Sequence, residues 1–589
     1  MTYIHDPESS QAKINLLPQS KKGRLFLLLT VLTFANCVRL FYSNSHTILA
    51  ESFDTGWIVR TGEFVLHNGP PHQDIYSWTN QERPFIAYQW LFEVACYLIQ
   101  KAGGLWLLGL SACTVTGILY LAILPHIWRR LGIPFWISFL LLSLVLTPHW
   151  FNIRPQLVSY PLLLLLAMLL EKNRTSKGNG IWCIPLLMVF WVNIHTFFAF
   201  GLGVLAIYTI CSLIREGWRE SKGLLSVLIL SLAASLLNPY GMELTRFVFG
   251  FLNGDQFLGM REAQSSLTDP SAHFVFAYFI ILWTVMFRQR KKLSAESLII
   301  CALITLAAIG VRRYQSIAVL LTWPYFGIAL ANSNYLKMFQ DHKAQAGIAP
   351  PSIGLFILSG MSVIVALLSW YLRVGSEQKA EQLYCEGNQD VIRYYTSHKS
   401  SSDRLFNDPT TGSWLVYFGA GPVFIDTRYD MYPKDFTEKV VYCIRAGPGW
   451  NDYLAKYNAT MVLMRDDWSL ITSALQRSKD WKLVVDNGRL ALWIRNSSKL
   501  AAQLDSWKVS DGSIRKSGLP KKLIDETIQS RCRQYFARSQ LNLELKNIDC
   551  AVEDLRAAVH LLPESRFLKQ KLKEAKELQS NDRPGQASL

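Results

Sequence analysis

The reading of this chain turns on FDTGWIVRTGEFVLHNGPPHQDIYSWTNQERPFIAYQWLFE, residues Phe53 to Glu93. The stretch lies between two apolar segments and is itself rich in acids, aromatics and Gly/Pro turns. A loop of this length is more often functional than a mere connector. We therefore expect it to carry a reaction centre, with Asp54 as the acid. A local reading competes: Asp is a preferred N-cap, and Asp54 directly precedes a helical pattern from Thr55 to Leu66.

Composition decides the solvent. Of 589 residues, 50% are hydrophobic and 18% charged, and the mean hydropathy is +0.16. The apolar residues gather in blocks, which marks the first two-thirds as a membrane protein. Lys and Arg (60) exceed Asp and Glu (44), but they form short clusters between apolar runs. That is a positive-inside pattern, and it argues against a nucleic-acid partner.

In chain order, residues 1–23 are polar and are expected in the cytoplasm. About 20 apolar residues cross a bilayer, and Arg24 to Tyr42 is the first candidate, delivering Asp54 to the outer face. Further candidates are Leu105–Trp128, Phe135–Trp150, Leu157–Leu170, Trp182–Phe198, Gly201–Ile214, Leu224–Leu237, Phe274–Phe287, Leu298–Val311, Ile317–Ala331 and Ile353–Leu372. The expected fold is thus an α-helical polytopic membrane domain of about eleven spans over 24–373, with an outer loop over 43–104. Arg312 and Arg313 violate the charge rule, since this topology puts them outside.

An odd span count puts the rest of the chain outside, in an inner-membrane protein with a cytoplasmic N-terminus. Residues 374–497 read as a small, mostly parallel α/β domain. Its β-type runs are Asp403–Asn407, Pro422–Asp426, Ala459–Leu463, Lys482–Val485 and Leu490–Ile494, with helical patterns at Asp435–Ile444 and Trp468–Ser478. A linker (498–518) leads to a helical segment (519–578) in which Tyr535, Leu545, Ala551, Ala558 and Pro563 match half a tetratricopeptide repeat. It reads as a helical cap or a protein-docking surface. The tail, 579–589, reads as disordered. Cys385, Cys443, Cys532 and Cys550 are expected as structural thiols or disulfides, and their spacing is not that of a zinc site.

Polar residues from several outer span ends converge on the Asp54 face: Arg60, Glu63, Gln89, Glu93, Arg154, His195, Asn238, Tyr240, Glu262, Arg312 and Arg313. Such a set suggests one polar cavity in which Asp54 takes a proton from a hydroxyl while arginines hold a phosphate in bidentate fashion. The plain alternatives are a solvated or capping Asp54, a core His195 and a span-terminating turn at Asn238–Gly241. No phosphate-binding loop appears, and Gly201-Leu-Gly-Val-Leu-Ala206 reads as helix packing within a span.

These residues carry a resemblance. Asp54-Thr-Gly-Trp57, Arg60-Thr-Gly-Glu63, His67-Asn-Gly69, Gln89–Glu93, Arg154-Pro-Gln156, Asn193-Ile-His195, Asn238–Gly241, Arg312-Arg313, Ile425–Arg428 and Asp430-Met-Tyr432 resemble a largely uncharacterised group of bacterial multi-pass proteins. That group is similar to the GT-C class of membrane glycosyltransferases. The chain departs in carrying Gln89 where a histidine-glutamate pair is commoner, and it has no D-x-D motif in the first loop. The resemblance implies transfer of a sugar from a polyprenyl-phosphate-linked donor to a glycan, lipid or protein acceptor of the envelope, at the outer face. Asp54 would be the base, and no cofactor is implied, with a divalent metal left open. A transporter or flippase of a lipid-linked glycan and a non-catalytic envelope scaffold are the alternatives.

Overall fold

The computed structural model describes residues 52–131, 152–250, 265–268, 272–331, 370–465, 469–498 and 548–582, with scattered single positions such as Leu49. The expected spans over 24–42 and 135–150, most of 353–372, and Glu262 lie outside the described residues.

The motif loop folds first into helix α1, Thr55–Asn68, which ends at Gly69, whose N–H reaches Val65 O. Helix α2, Trp90–Leu131, is broken at Gly103–Gly104, so its apolar part starts anew at Leu105. A helix start leaves backbone N–H groups without partners. Here the Glu377 carboxylate accepts from Leu105 N at 2.9 Å and Trp106 N at 2.7 Å.

The bundle continues with α3 (Gln156–Ser176), α4 (Ile184–Val192) and α5 (Phe198–Ala234). Next come α6 (Met242–Gly250), α7 (His273–Gln289), α8 (Ala295–Gly310) and α9 (Gln315–Ala331). α5 holds two of the expected spans, divided at Gly217 where the backbone leaves helical geometry. Ser212 and Ser221 share a hydrogen bond of 2.8 Å, whereas nine residues of helix would separate them by roughly 13 Å. The chain therefore doubles back at Gly217.

Trp90–Val115 and Phe198–Ala234 are the two described helices long and apolar enough to cross a membrane. Leu186, Ile214, Ile280, Phe287 and Leu306 are each more than 60% exposed. An apolar belt of this kind suits a lipid environment better than water.

Beyond Trp370 the chain packs back on the loop face. α10 (Glu377–Tyr384) and α11 (Gln389–His398) precede β1 (Leu405–Asn407), α12 (Pro409–Tyr417), α13 (Lys434–Ile444), α14 (Trp450–Lys456), β2 (Met461–Arg465), α15 (Ser469–Arg477), β3 (Trp481–Asp486) and β4 (Leu490–Arg495). The sheet order is β1-β2-β4-β3. Only β1–β2 is parallel, while β2–β4 and β3–β4 are antiparallel, which corrects the expected mostly parallel sheet. The cause is a tight hairpin at Asn487-Gly488, a strong reversal signal, where Asn487 Oδ1 accepts from Arg489 N and Leu490 N.

Pro422–Asp426 is not a strand of this sheet. Instead Val423 bridges Ser77 of the outer loop, with Trp78 N donating to Val423 O and Val423 N to Tyr76 O. Cys385, Cys443, Cys532 and Cys550 are free thiols. Helices α16 (Ile548–Leu561) and α17 (Arg566–Asp582) pack through Val552, Leu555 and Ala575. Leu545 of the repeat-like pattern lies outside the described residues, and α17 extends to Asp582.

The loop and the α/β domain are joined by a buried guanidinium. Arg428 Nη2 lies 2.9 Å from Asp74 Oδ1 and 2.6 Å from Asp426 Oδ2, with its Cζ over the rings of Tyr76 and Phe85. Arg428→Met leaves two buried carboxylates without their cation and should destabilise the outer domain by about 3–5 kcal/mol. Thermal unfolding of the purified full chain should show a lowered midpoint. An unchanged midpoint would remove this triad from the account of the fold.

Candidate functional site

Asp54 occupies the residue before α1 but does not cap it, for its side chain accepts nothing from the helix backbone. Its Oδ2 instead lies 2.8 Å from Arg154 Nε. Oδ1 receives a long contact, 3.4 Å, from Trp57 Nε1, and that same indole donates to Thr427 Oγ1 at 3.1 Å. One residue of the first loop, one of the loop before α3 and one of the α/β domain thus meet around a single carboxylate.

Backbone contacts hold this junction. Ser413 Oγ donates to Phe53 O, and Ile153 N donates to Ser52 Oγ at 3.1 Å. The two glycines of the loop motifs explain the closeness. A Cβ at Gly56 would fall 2.1 Å from Ser413 O, and one at Gly62 would fall 2.0 Å from Glu93 O. Any side chain at either position would push α1 off its neighbours.

Arg312 and Arg313 form the turn Arg312–Tyr314 between α8 and α9. The Arg313 charge acts on His195, Tyr88 and Asp430. Asp54, Arg154, Arg313, Tyr88 and Asp430 therefore share one electrostatic neighbourhood. Asp430 and Tyr88 are both partly exposed.

Asp430 was not among the residues expected at the site, although its motif, Asp430-Met-Tyr432, was noted. It belongs to the turn Tyr429–Met431, directly after buried Arg428. Burial pushes its carboxyl up to about 6, the nearby Asp54 charge adds to the rise, and Arg428 and Arg313 oppose it. The available signal was the alternation Asp426-x-Arg428-x-Asp430, but nothing in the sequence says that this segment folds back on residue 54.

The other expected residues take varied places. Gln89 and Glu93 are buried, with the Gln89 side chain beside the Glu93 carboxyl. His195 is buried, its Nδ1 3.0 Å from Ser159 Oγ, which also accepts from Trp191 Nε1 at 2.9 Å. Arg60 pairs with Glu63 at 2.7 Å and donates to Tyr417 O at 2.9 Å, so both residues face the α/β domain.

Asn238 spends its side chain on its own turn, accepting from Tyr240 N and donating to Ser235 O. The Tyr240 hydroxyl donates to Pro71 O and accepts from Ala87 N, which pins the outer loop. Among the described residues no group of three His, Cys, Asp or Glu is placed to hold a metal ion.

No protein-family model matches the chain, and no curated protein matches it. The chain is similar to the apo crystal structure of the Archaeoglobus fulgidus oligosaccharyltransferase, at 10% identity and a TM-score of 0.42 over 74% of this chain and 70% of that one. It is also similar to ArnT from Cupriavidus metallidurans. The apo state gives 11% identity and a TM-score of 0.43, and the form bound to undecaprenyl phosphate gives 13% and 0.45, each over 80% of this chain and 98% of that one.

Asp430 makes a pH test possible. A carboxyl whose pKa is raised in the folded state contributes stability below its unfolded value, near 3.8, and loses it as pH rises through about 6. Asp430→Asn should therefore be more stable than the wild type at pH 7.5, by about 3 kcal/mol, and unfold at a higher temperature. The gap should close by pH 4. A gap of equal size at both pH values would show that this carboxyl titrates normally.

Proposed function

We propose that the chain is a membrane glycosyltransferase that moves a sugar from a polyprenyl-phosphate-linked donor to an envelope acceptor at the outer face of the cytoplasmic membrane. The observation that carries the reading is Asp54 itself. It is a carboxylate at the mouth of an apolar bundle, excused from capping its own helix and held against Arg154 at 2.8 Å.

In this reading Asp54 Oδ1, the less engaged oxygen, accepts the proton of the acceptor hydroxyl. The hydroxyl oxygen bonds to the anomeric carbon as the bond from that carbon to the donor phosphate breaks. Arg154 and Arg313, with Arg312 beside them, hold the departing phosphate and stabilise the charge it gains. Gln89, Glu93 and His195 line or support the sugar subsite. Arg60, Glu63, Asn238 and Tyr240 fix the loop around it. No soluble nucleotide is needed, because the donor's lipid tail lies among the helices.

The orientation rests on charge. Lys177, Arg215, Arg219, Lys222 and the run Arg288–Lys292 gather at helix ends away from the Asp54 face, as a cytoplasmic side requires. The α/β domain shares the Asp54 face through Glu377 and Arg428, which supports an extracytoplasmic location. The helical tail is left as a surface for a protein partner.

One observation favours the scaffold alternative: the Asp54–Arg154 pair also ties the loop to the bundle. Cells carrying wild-type and Asp54→Asn protein at matched membrane levels separate the two. Mass spectrometry of envelope glycans and polyprenyl-linked sugars should show one glycan reduced by at least about 100-fold, the scale of a lost general base, with its donor accumulating. A wild-type profile for Asp54→Asn, set against an altered one in a deletion strain, would leave the scaffold reading standing.

A further inference from the structure

The first turn of α3 carries a hydrogen-bond relay that the transfer reaction leaves unassigned. Trp191 Nε1 donates to Ser159 Oγ at 2.9 Å, and Ser159 Oγ lies 3.0 Å from His195 Nδ1. All three side chains are buried, with His195 at 5% exposure.

Local packing fixes each member. Trp191 and His195 belong to one turn, with His195 N donating to Trp191 O at 3.0 Å. The indole rests on α5 at Gly201, where a Cβ would fall 2.6 Å from the Trp191 ring, so a side chain there would displace it. The imidazole leans on Phe197, the ring centroids 4.2 Å apart.

The network decides where the protons are. An indole N–H is a donor only, so Ser159 Oγ accepts from Trp191. A serine hydroxyl has one proton, and among the described residues the other partner of Oγ is His195 Nδ1. If Nδ1 also donated to Oγ, the buried hydroxyl proton would be left without an acceptor, which is costly. Ser159 therefore donates to Nδ1. Burial disfavours a charge on this ring, so the neutral imidazole has its proton on Nε2.

Two observations tie the ring to the reaction site. Ser159 lies three residues beyond Gln156, the start of α3, about 4.5 Å along the axis, and Arg154 stands two residues before that start. On the other side, ring contacts run from His195 to Phe197, Phe200 and Tyr314 at 4.2, 5.4 and 5.2 Å. They end at the turn that carries Arg312 and Arg313. His195 is thus linked to both groups of arginines to which the transfer reading gives the donor's phosphate.

We propose that Ser159, held by Trp191, is a positioning residue that fixes His195 as the Nε2–H tautomer, and that Nε2 donates to an oxygen of the donor's sugar-phosphate group. The inference rests on the transferase reading and deepens it. A neutral donor suits this place, because it adds a directed hydrogen bond where arginines already supply charge. The opposite tautomer would present a lone pair to the same oxygen, and the partner of Nδ1 is what selects between the two.

The test has two arms, both on the full chain. In nanodiscs, nuclear magnetic resonance of protein isotope-labelled at the histidine ring nitrogens tells a protonated nitrogen from a bare one, and His195→Gln identifies the His195 signals. The wild type should show a bare Nδ1 and a protonated Nε2. Ser159→Ala should show a mixture of tautomers, and Ser159→Thr, which keeps the hydroxyl, should restore the single form. In cells at matched membrane levels, Ser159→Ala should lower the initial rate of glycan formation about tenfold, the scale of one lost hydrogen bond. Ser159→Thr should recover most of it.

A proton on Nδ1 in the wild type, or an unchanged tautomer in Ser159→Ala, overturns the inference. So does a wild-type rate for Ser159→Ala where Asp54→Asn is inactive, and the transferase reading then stands. If Asp54→Asn itself leaves every glycan unchanged, that reading fails and takes the donor contact with it, whatever the tautomer.

Discussion

The contact between Arg428 and the carboxylates of Asp74 and Asp426 governs how the first loop and the α/β domain fit together. A buried guanidinium is costly unless its charge and its donors are both met. Two carboxylates and the faces of Tyr76 and Phe85 meet the charge here, and the carboxylates accept from Nε and Nη2, while Nη1 has no hydrogen-bond partner among the described residues. Asp74 and Arg428 stand 354 residues apart, so the loop takes its shape only once the α/β domain has docked. The docking then continues along the backbone, where residues 76–78 run beside Val423 as an added edge. Thr427, which accepts from the Trp57 indole beside Asp54, is brought there by that seating.

The same interlock explains how α1 is held. The helix lies between the Ser413 carbonyl on one side and the Glu93 carbonyl on the other, reached through Gly56 and Gly62. Glu377 secures a further junction by supplying the carboxylate that the restarted helix at Leu105 lacks. An acid at a helix N-terminus also complements the helix dipole. The α/β domain is thereby fastened to the loop, to α1 and to the helical bundle at separate points.

Local signals were readable in the sequence and distant ones were not. Helical periodicity and a leading Asp marked Thr55–Leu66, against the observed Thr55–Asn68, and apolar blocks marked the bundle helices. The expectation for Asp54 rests on its place between an apolar segment and an aromatic-rich loop. The sheet was misread because β-type runs reveal strand existence but not direction, and the reversal at Asn487-Gly488 was passed over. Pro422–Asp426 looks like a strand, yet its partner is a loop more than 300 residues earlier. Asp430 escaped for the same reason: its neighbours Asp54 and Arg313 are set by docking, which composition and spacing do not encode.

The partnership at Asp54 bears on its chemistry more than its position does. A carboxylate that caps a helix has its oxygens committed to backbone donors, and a ligand must break that cap to use them. Asp54 is committed to Arg154, a residue whose own preferred partners include phosphate. In the proposed reaction an arriving phosphate would compete for Arg154 and so free the carboxylate beside it. The weak contact from Trp57 at 3.4 Å already leaves one oxygen lightly held. In the proposed reaction the donor's phosphate would thus release the base that acts on the acceptor, and an empty site would keep that base in its ion pair.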